Sequence, residues 1–283
     1  MRIAINSQRP ASSSTPIAWT VAGSDSGGGA GIQVDLKVMN AFGVHGCSVI
    51  TALTAQNTIG VRTAESVSRN MFSAQLEALR DDLPAAAIKS GMLGSRTNVE
   101  LLADFLDSQP APPPLVCDPV LKSTSGADLL DPEALDMLIS GIFPHVTVLT
   151  PNLPEAAKLL GIELLPSIEE SAGRILEMGV HSVLIKGGHA GTDDCCDYWT
   201  DGTRSVQLSS PRIETTATHG TGCILSAAIA AGLALGKDLP AAVIDAKTFL
   251  NQCLRLPVNA GGGRGPAQIG PFMNAPQDRP ADT

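Results

Sequence analysis

Aromatic side chains are scarce in this chain: one tyrosine, two tryptophans and six phenylalanines make up 3% of its 283 residues. Positive charge is also short, with 19 Lys and Arg against 28 Asp and Glu and a net charge of -9. Lacking both stacking platforms and a basic surface, the chain is not expected to bind DNA, RNA or an anionic lipid surface. Any phosphate it handles must be gripped locally, by backbone N–H groups, a few lysines and a metal, because the overall field repels anions. Long hydrophobic runs are missing as well. The longest weakly polar stretch, Gly222 to Gly236, is too short to cross a bilayer, carries Ser226 and reads as a buried helix, so no membrane partner is expected. The cysteines, at 47, 117, 195, 196, 223 and 253, show no C-x-x-C spacing and no secretory leader is legible. They are therefore expected to be reduced, in a cytoplasmic protein.

Apolar residues supply 43% of the chain and charged residues 17%, which excludes global disorder. Short apolar runs end repeatedly in Gly, Asp, Asn or Pro and are followed by helical periodicity, the alternation of a mostly parallel sheet covered on both faces. Strands are expected at Ile17–Ala22, Cys47–Leu53, Ala86–Lys89, Leu115–Cys117, Val146–Leu149 and Ser182–Lys186. Helices are expected at Ile32–Phe42, Phe72–Asp81, Arg96–Asp107, Pro132–Ile142, Pro154–Leu160, Ile168–Met178 and Ile224–Leu235. Asp197–Thr200 and Ser205–Leu208, joined at Asp201-Gly202, read as a hairpin suited to an antiparallel edge. With no internal repeat and no composition shift, one domain over 16–268 is expected, between a flexible extension at 1–15 and a flexible tail at 269–283. The acid-free start faintly matches a targeting peptide, but a frayed terminus suits its length better.

Ligands of such sheets sit beyond the C-terminal strand ends, which directs attention to five loops. Gly23-Ser24-Asp25-Ser26-Gly27-Gly28-Gly29-Ala30-Gly31 lacks the Lys-Ser/Thr of a P-loop, and Ile32 stands where the dinucleotide fingerprint needs a small residue. Its glycines allow either close backbone approach to a ligand or a plain tight turn. Asp118 and Glu155 each follow a strand and suit a hydrated Mg2+ or, alternatively, a turn and a helix cap. Lys186-Gly187-Gly188-His189 offers one ammonium, for phosphate or merely for solvent. Thr218-His219-Gly220-Thr221-Gly222-Cys223 opens a helix with exposed N–H groups, a geometry that holds anions. A thiol at Cys223 is then either a proton acceptor whose pKa the helix start lowers or a small buried hydrophobe.

Together with Asp35-Leu36-Lys37, the stretch from Gly46 to Asn57, and Lys89-Ser90-Gly91-Met92-Leu93, these motifs closely resemble the hydroxymethylpyrimidine/phosphomethylpyrimidine kinases of thiamin biosynthesis, within the ribokinase-like superfamily. The resemblance covers about residues 16 to 268. It implies a ribokinase-like three-layer α/β/α fold and a homodimer that uses ATP and Mg2+ on the hydroxymethyl group of an aminopyrimidine and then on its monophosphate. It assigns Asp35 and Gln56 to the ring's polar edge, with Gly23, Ala30 and Met92 shaping the pocket. It places Asn152 and Glu155 on Mg2+ and phosphate with Asp118 assisting, and Lys186 on the ATP phosphates. It makes Gly220, Thr221, Gly222 and Cys223 the anion hole, with Cys223 where sugar kinases of the superfamily carry an aspartate base. Gly27, in place of the family's usual serine, and Lys122–Gly126 depart from the usual pattern. Pyridoxal or pyridoxine kinases are the nearest rival reading, and a non-catalytic pyrimidine-binding protein is the rival from another class.

Overall fold

The structure is a computed structural model that describes residues 15–121, 130, 133–188, 194–256, 258 and 260–270. Its described strands are β1 (Ile17–Asp25), β2 (His45–Gln56), β3 (Val61–Ser66), β4 (Ala87–Ser90), β5 (Leu115–Cys117), β6 (Val146–Leu149), β7 (Val183–Ile185), β8 (Asp194–Thr200) and β9 (Ser205–Pro211). They form one sheet in the order β3-β2-β1-β4-β5-β6-β7-β8-β9. Pairings from β2 through β7 are parallel, while β3 and the β8–β9 hairpin add antiparallel edges. The described helices are α1 (Gly31–Ala41), α2 (Arg69–Asp82), α3 (Arg96–Asp107), α4 (Ala134–Met137), α5 (Leu153–Leu160), α6 (Ile168–Leu176), α7 (Thr221–Ala234) and α8 (Leu239–Leu254).

Pleating sorts the core into two layers, because neighbouring side chains on a strand leave by opposite faces. Trp19 and Val21 of β1, Leu115 and Cys117 of β5, and Val183 and Ile185 of β7 pack against α2 to α6. Val116, Val148 and Leu184 face α7 and α8. Ala18 and Ala87 meet Ala231 and Ala234, small side chains that let α7 lie close over the sheet. This is the three-layer α/β/α arrangement that the resemblance implies.

The expected strands and the edge hairpin are all present, the latter longer than expected at both outer ends. Two elements are additional. The edge strand β3 is exposed along nearly its whole length, so no apolar alternation marks it. Helix α8 begins at a legible signal, Asp238 accepting from Ala241 N at 2.9 Å with Pro240 in the first turn. The helix expected at Pro132–Ile142 is α-helical only over Ala134–Met137 and continues as a π turn, Leu138–Ile142, and a 3-10 turn, Phe143–His145. Pro132, Lys122–Gly126, His189, residues 1–14 and residues 271–283 lie outside the described residues.

Candidate active site

The parallel strands all end on one rim, and there the expected residues, Asp35 excepted, meet around a cavity of about 1020 Å³. At the end of β1 the Asp25 carboxylate organises the glycine loop, accepting from Gly27 N at 2.8 Å, Gly29 N at 3.0 Å and Ala30 N at 2.8 Å. Met92 packs close to Gly23, where a Cβ would lie 3.0 Å from its sulfur. Gln56, at the end of β2, sets its amide nitrogen 3.1 Å from His219 Nε2, and His219 Nε2 lies 3.0 Å from Asp25 Oδ2. Gly23, Ala30, Gln56 and Met92 thus line one part of the cavity.

Asp35 does not. Its Oδ2 lies fully buried beneath the cavity wall, accepting from Thr20 Oγ1 at 2.6 Å and Lys89 Nζ at 2.8 Å. Lys89 borders the cavity in its place, its side chain fully enclosed. Burial holds the Asp35 carboxyl above its ordinary value, the Lys89 ammonium and the Thr20 hydroxyl only partly offsetting it; the Asp35 charge, with Cys223 and Asp118 nearby, in turn holds Lys89 above its ordinary value against desolvation. An ammonium at 2.8 Å on Oδ2 is the geometry of a charge-assisted hydrogen bond, while the other oxygen, Oδ1, has no hydrogen-bond partner among the described residues.

Another part of the lining is a charge cluster. Lys186 Nζ, just past β7, lies 2.8 Å from Asp118 Oδ1 and 3.9 Å from Glu155 Oε2. Asn152 and Glu155 form a reciprocal cap on α5, Glu155 N to Asn152 Oδ1 at 2.9 Å and Asn152 N to Glu155 Oε2 at 2.8 Å. Capping and cavity lining therefore coexist in the same two side chains. Burial pushes the Glu155 carboxyl up to about 7, Lys186 opposing and Asp118 adding to the rise. Asp118 and Glu155 conversely hold Lys186 above its ordinary value despite its own burial.

The start of α7 joins the two parts. Gly220 is left-handed (φ 78°) and a Cβ there would lie 2.0 Å from the Gly29 carbonyl oxygen, so only glycine lets the helix start touch the glycine loop. Two residues on, a Cβ at Gly222 would lie 3.1 Å from Asp118 Oδ2 and 3.3 Å from Lys186 Nζ. Among the described residues no side chain caps this helix, and the Thr221 hydroxyl is turned back onto Thr218 O at 3.2 Å. Gly220, Thr221, Gly222 and Cys223 all line the cavity. The expected depression of the Cys223 pKa does not appear: enclosure by protein pushes the thiol up to about 11, and the nearby Lys89 charge only partly offsets this.

Asp25, Lys89 and His219 also line the cavity and were not expected to act there. Two of them carry a signal in the sequence, an acid ending a strand and a histidine before a glycine turn. Lys89 has a different signal, a lysine closing an otherwise apolar run.

Residues 25–268 match the family model for phosphomethylpyrimidine kinase. The hydroxymethylpyrimidine/phosphomethylpyrimidine kinase of Rhizobium meliloti is 47% identical, covering 89% of this chain and 96% of its own. The phosphomethylpyrimidine kinase structure from Clostridium difficile is 38% identical at a TM-score of 0.74, covering 83% of this chain and 98% of that one. The pyridoxal kinase of Staphylococcus aureus, in complex with AMP-PCP and pyridoxal, is 33% identical at a TM-score of 0.82, covering 91% of this chain and 94% of that one. Identity and TM-score rank these two structures oppositely; the higher TM-score accompanies the wider coverage and speaks for the shared fold, while identity speaks for side chains. The motif order, the cavity they build and these similarities agree: the chain is a phosphotransferase of the phosphomethylpyrimidine kinase family.

Proposed function

We propose that this cavity transfers the γ-phosphoryl group of ATP to the hydroxymethyl group of 4-amino-5-hydroxymethyl-2-methylpyrimidine, and a second one to the resulting monophosphate. One observation carries the reading: the first turn of α7 touches the glycine loop at Gly220 and the Asp118–Lys186 pair at Gly222. A helix N-terminus placed there offers N–H groups to the group in transit, between an acceptor held at Gly23, Ala30, Gln56 and Met92 and phosphates held at Lys186 and Asn152. Mg2+ fits Asp118 and Glu155, since that ion takes one or two carboxylates and completes its shell with water and phosphate oxygens. When bound it neutralises charge on the phosphates. Lys186 holds those phosphates as a point charge.

Cys223, once ionised to the thiolate, takes the proton of the attacking alcohol in the first reaction only. The second acceptor is a phosphomonoester, whose second pKa of about 6 leaves it largely ionised near neutral pH. We expect Cys223→Ala to lower the first phosphorylation by on the order of 10²–10⁴ and to spare much of the second. Separate assays of each step check this; equal losses would make the thiol a positioning element. Because burial keeps the thiol protonated at rest, the first step should also accelerate with rising pH.

The fold shared with pyridoxal kinases supports a second reading, phosphorylation of pyridoxal, whereas Gln56 and Met92 favour the aminopyrimidine. Incubation with Mg-ATP and either acceptor, with products identified by mass spectrometry, separates them. Binding without any product would leave a non-catalytic pyrimidine-binding protein. The proposal further takes residues 16–268 as one catalytic domain acting as a cytoplasmic homodimer. Exposed Leu53, Ile59 and Met71, on and beside the β2–β3 ribbon, offer apolar surface for pairing, which light scattering tests.

A further inference from the structure

Two neighbours compete for one atom, Nε2 of His219. It lies 3.0 Å from Asp25 Oδ2 and 3.1 Å from the amide nitrogen of Gln56. The other end of that amide, Oε1, lies 3.5 Å from Thr54 Oγ1. An imidazole nitrogen offers either a proton or a lone pair. Burial raises the Asp25 carboxyl, but His219 and the backbone N–H groups of Gly27 and Ala30 outweigh it and keep the group below its ordinary value. The N–H of Gly29 donates to it as well, at 3.0 Å. An ionised carboxylate only accepts, so His219 Nε2 must carry the proton.

An amide NH2 facing that N–H sets donor against donor. The Thr54 end has the matching conflict, acceptor against acceptor, because its hydroxyl already donates to Ser24 O at 2.9 Å and has only lone pairs left for Gln56. A half-turn about the last side-chain bond of Gln56 resolves both conflicts while filling the same space. We propose that Asp25 and His219 are a positioning pair that holds the Gln56 amide in this turned state, oxygen on His219 and NH2 on Thr54. The cavity then selects a ring edge with an amino group beside an acceptor nitrogen and rejects the corresponding oxo ring.

This deepens the aminopyrimidine reading and rests on it. In the turned state one lone pair of Oε1 and one N–H remain for the ligand. The ring's amino group donates to Oε1, and its neighbouring nitrogen accepts from the N–H. An oxo analogue presents an acceptor beside a ring N–H. To pair with it the amide must reverse, which breaks the His219 bond and restores the donor clash. His219 is itself held in place: its side chain is 12% exposed, and a Cβ at Gly29 would lie 2.5 Å from its Cδ2, so the ring occupies room that only glycine leaves.

The first test needs no ligand. In 15N-histidine-labelled protein, NMR should report a protonated Nε2 for His219; a bare Nε2 overturns the proposal. The second compares calorimetric affinities for 4-amino-5-hydroxymethyl-2-methylpyrimidine and its 4-oxo analogue. His219→Phe, which has no donor, should cut the amino-to-oxo preference about tenfold or more. A structural role alone would weaken both ligands alike, and an unchanged ratio overturns the proposal. Wild type binding neither ring would overturn the aminopyrimidine reading and the selectivity with it, whereas a bare Nε2 with normal binding overturns the positioning pair alone.

Discussion

Lys89 and Lys186 stand at the ends of parallel strands, each 2.8 Å from an aspartate and each lining the same cavity, yet their surroundings differ. The Lys89–Asp35 pair is fully enclosed, at 0% exposure on both sides. Lys186 keeps 15% of its side chain exposed and has a second carboxylate, Glu155, within 3.9 Å. A buried cation with one partner at contact distance is committed to that partner. A cation between two carboxylates at an open rim can exchange one contact for a phosphate without stranding a charge. Distance alone does not separate a structural ion pair from a working one; the number of partners and access to ligand do.

Three experiments probe that contrast. Lys89→Met should cost about 3–5 kcal/mol of stability in urea unfolding, because it leaves the buried Asp35 carboxyl with the Thr20 hydroxyl but without its ammonium. The double variant Asp35→Leu/Lys89→Met should recover most of it, since an apolar pair of similar volume removes the stranded carboxyl. Recovery of stability without recovery of acceptor binding would show that the pair also serves the ligand. Lys186→Ala should fold with a smaller loss but slow both phosphorylations alike, by about 10²–10³, as expected for removing a group that stabilises transition-state charge. Uneven slowing in the two steps would break the assignment.

The smallest effect concerns Glu155. With its carboxyl near 7, the ionised, metal-competent form falls from dominant at pH 8 to scarce at pH 6. The Mg2+ concentration for half-maximal rate should therefore rise by up to about tenfold between pH 8 and pH 6, because proton and metal compete for the same oxygens. In Glu155→Gln that slope should flatten. An identical slope in both proteins would move the titration elsewhere.

What could be read in the sequence followed from what packing demands of each residue. Strands such as Val146–Leu149 and Leu115–Cys117 are buried on both faces, so their apolar runs announce them. β3, reading Val-Arg-Thr-Ala-Glu-Ser, is exposed at the sheet edge and carries no such mark. In the site, glycines and strand-end carboxylates were legible because close approach and charge restrict residue choice. The burial of Asp35 under Lys89 was not, since both lie on elements whose periodicity is silent about which neighbour a charge will find. Cys223 shows the same limit: proximity to a helix start was visible, the enclosure that overrides it was not.

The clasp between Asp25 and His219 spans 194 positions of sequence. Helix α7, apolar on nearly every side, must reach back to cover β1, β4 and β5, all formed from the first half of the chain. During synthesis the nascent N-terminal half therefore waits with Val34, Val38 and Val116 uncovered, and its glycine loop lacks the histidine that braces it. Such long-range closure makes folding slow and leaves the incomplete chain prone to aggregate. A ribosome has to deliver nearly all of the described protein before any catalytic cavity exists, so fragments ending before α7 should be insoluble as well as inactive.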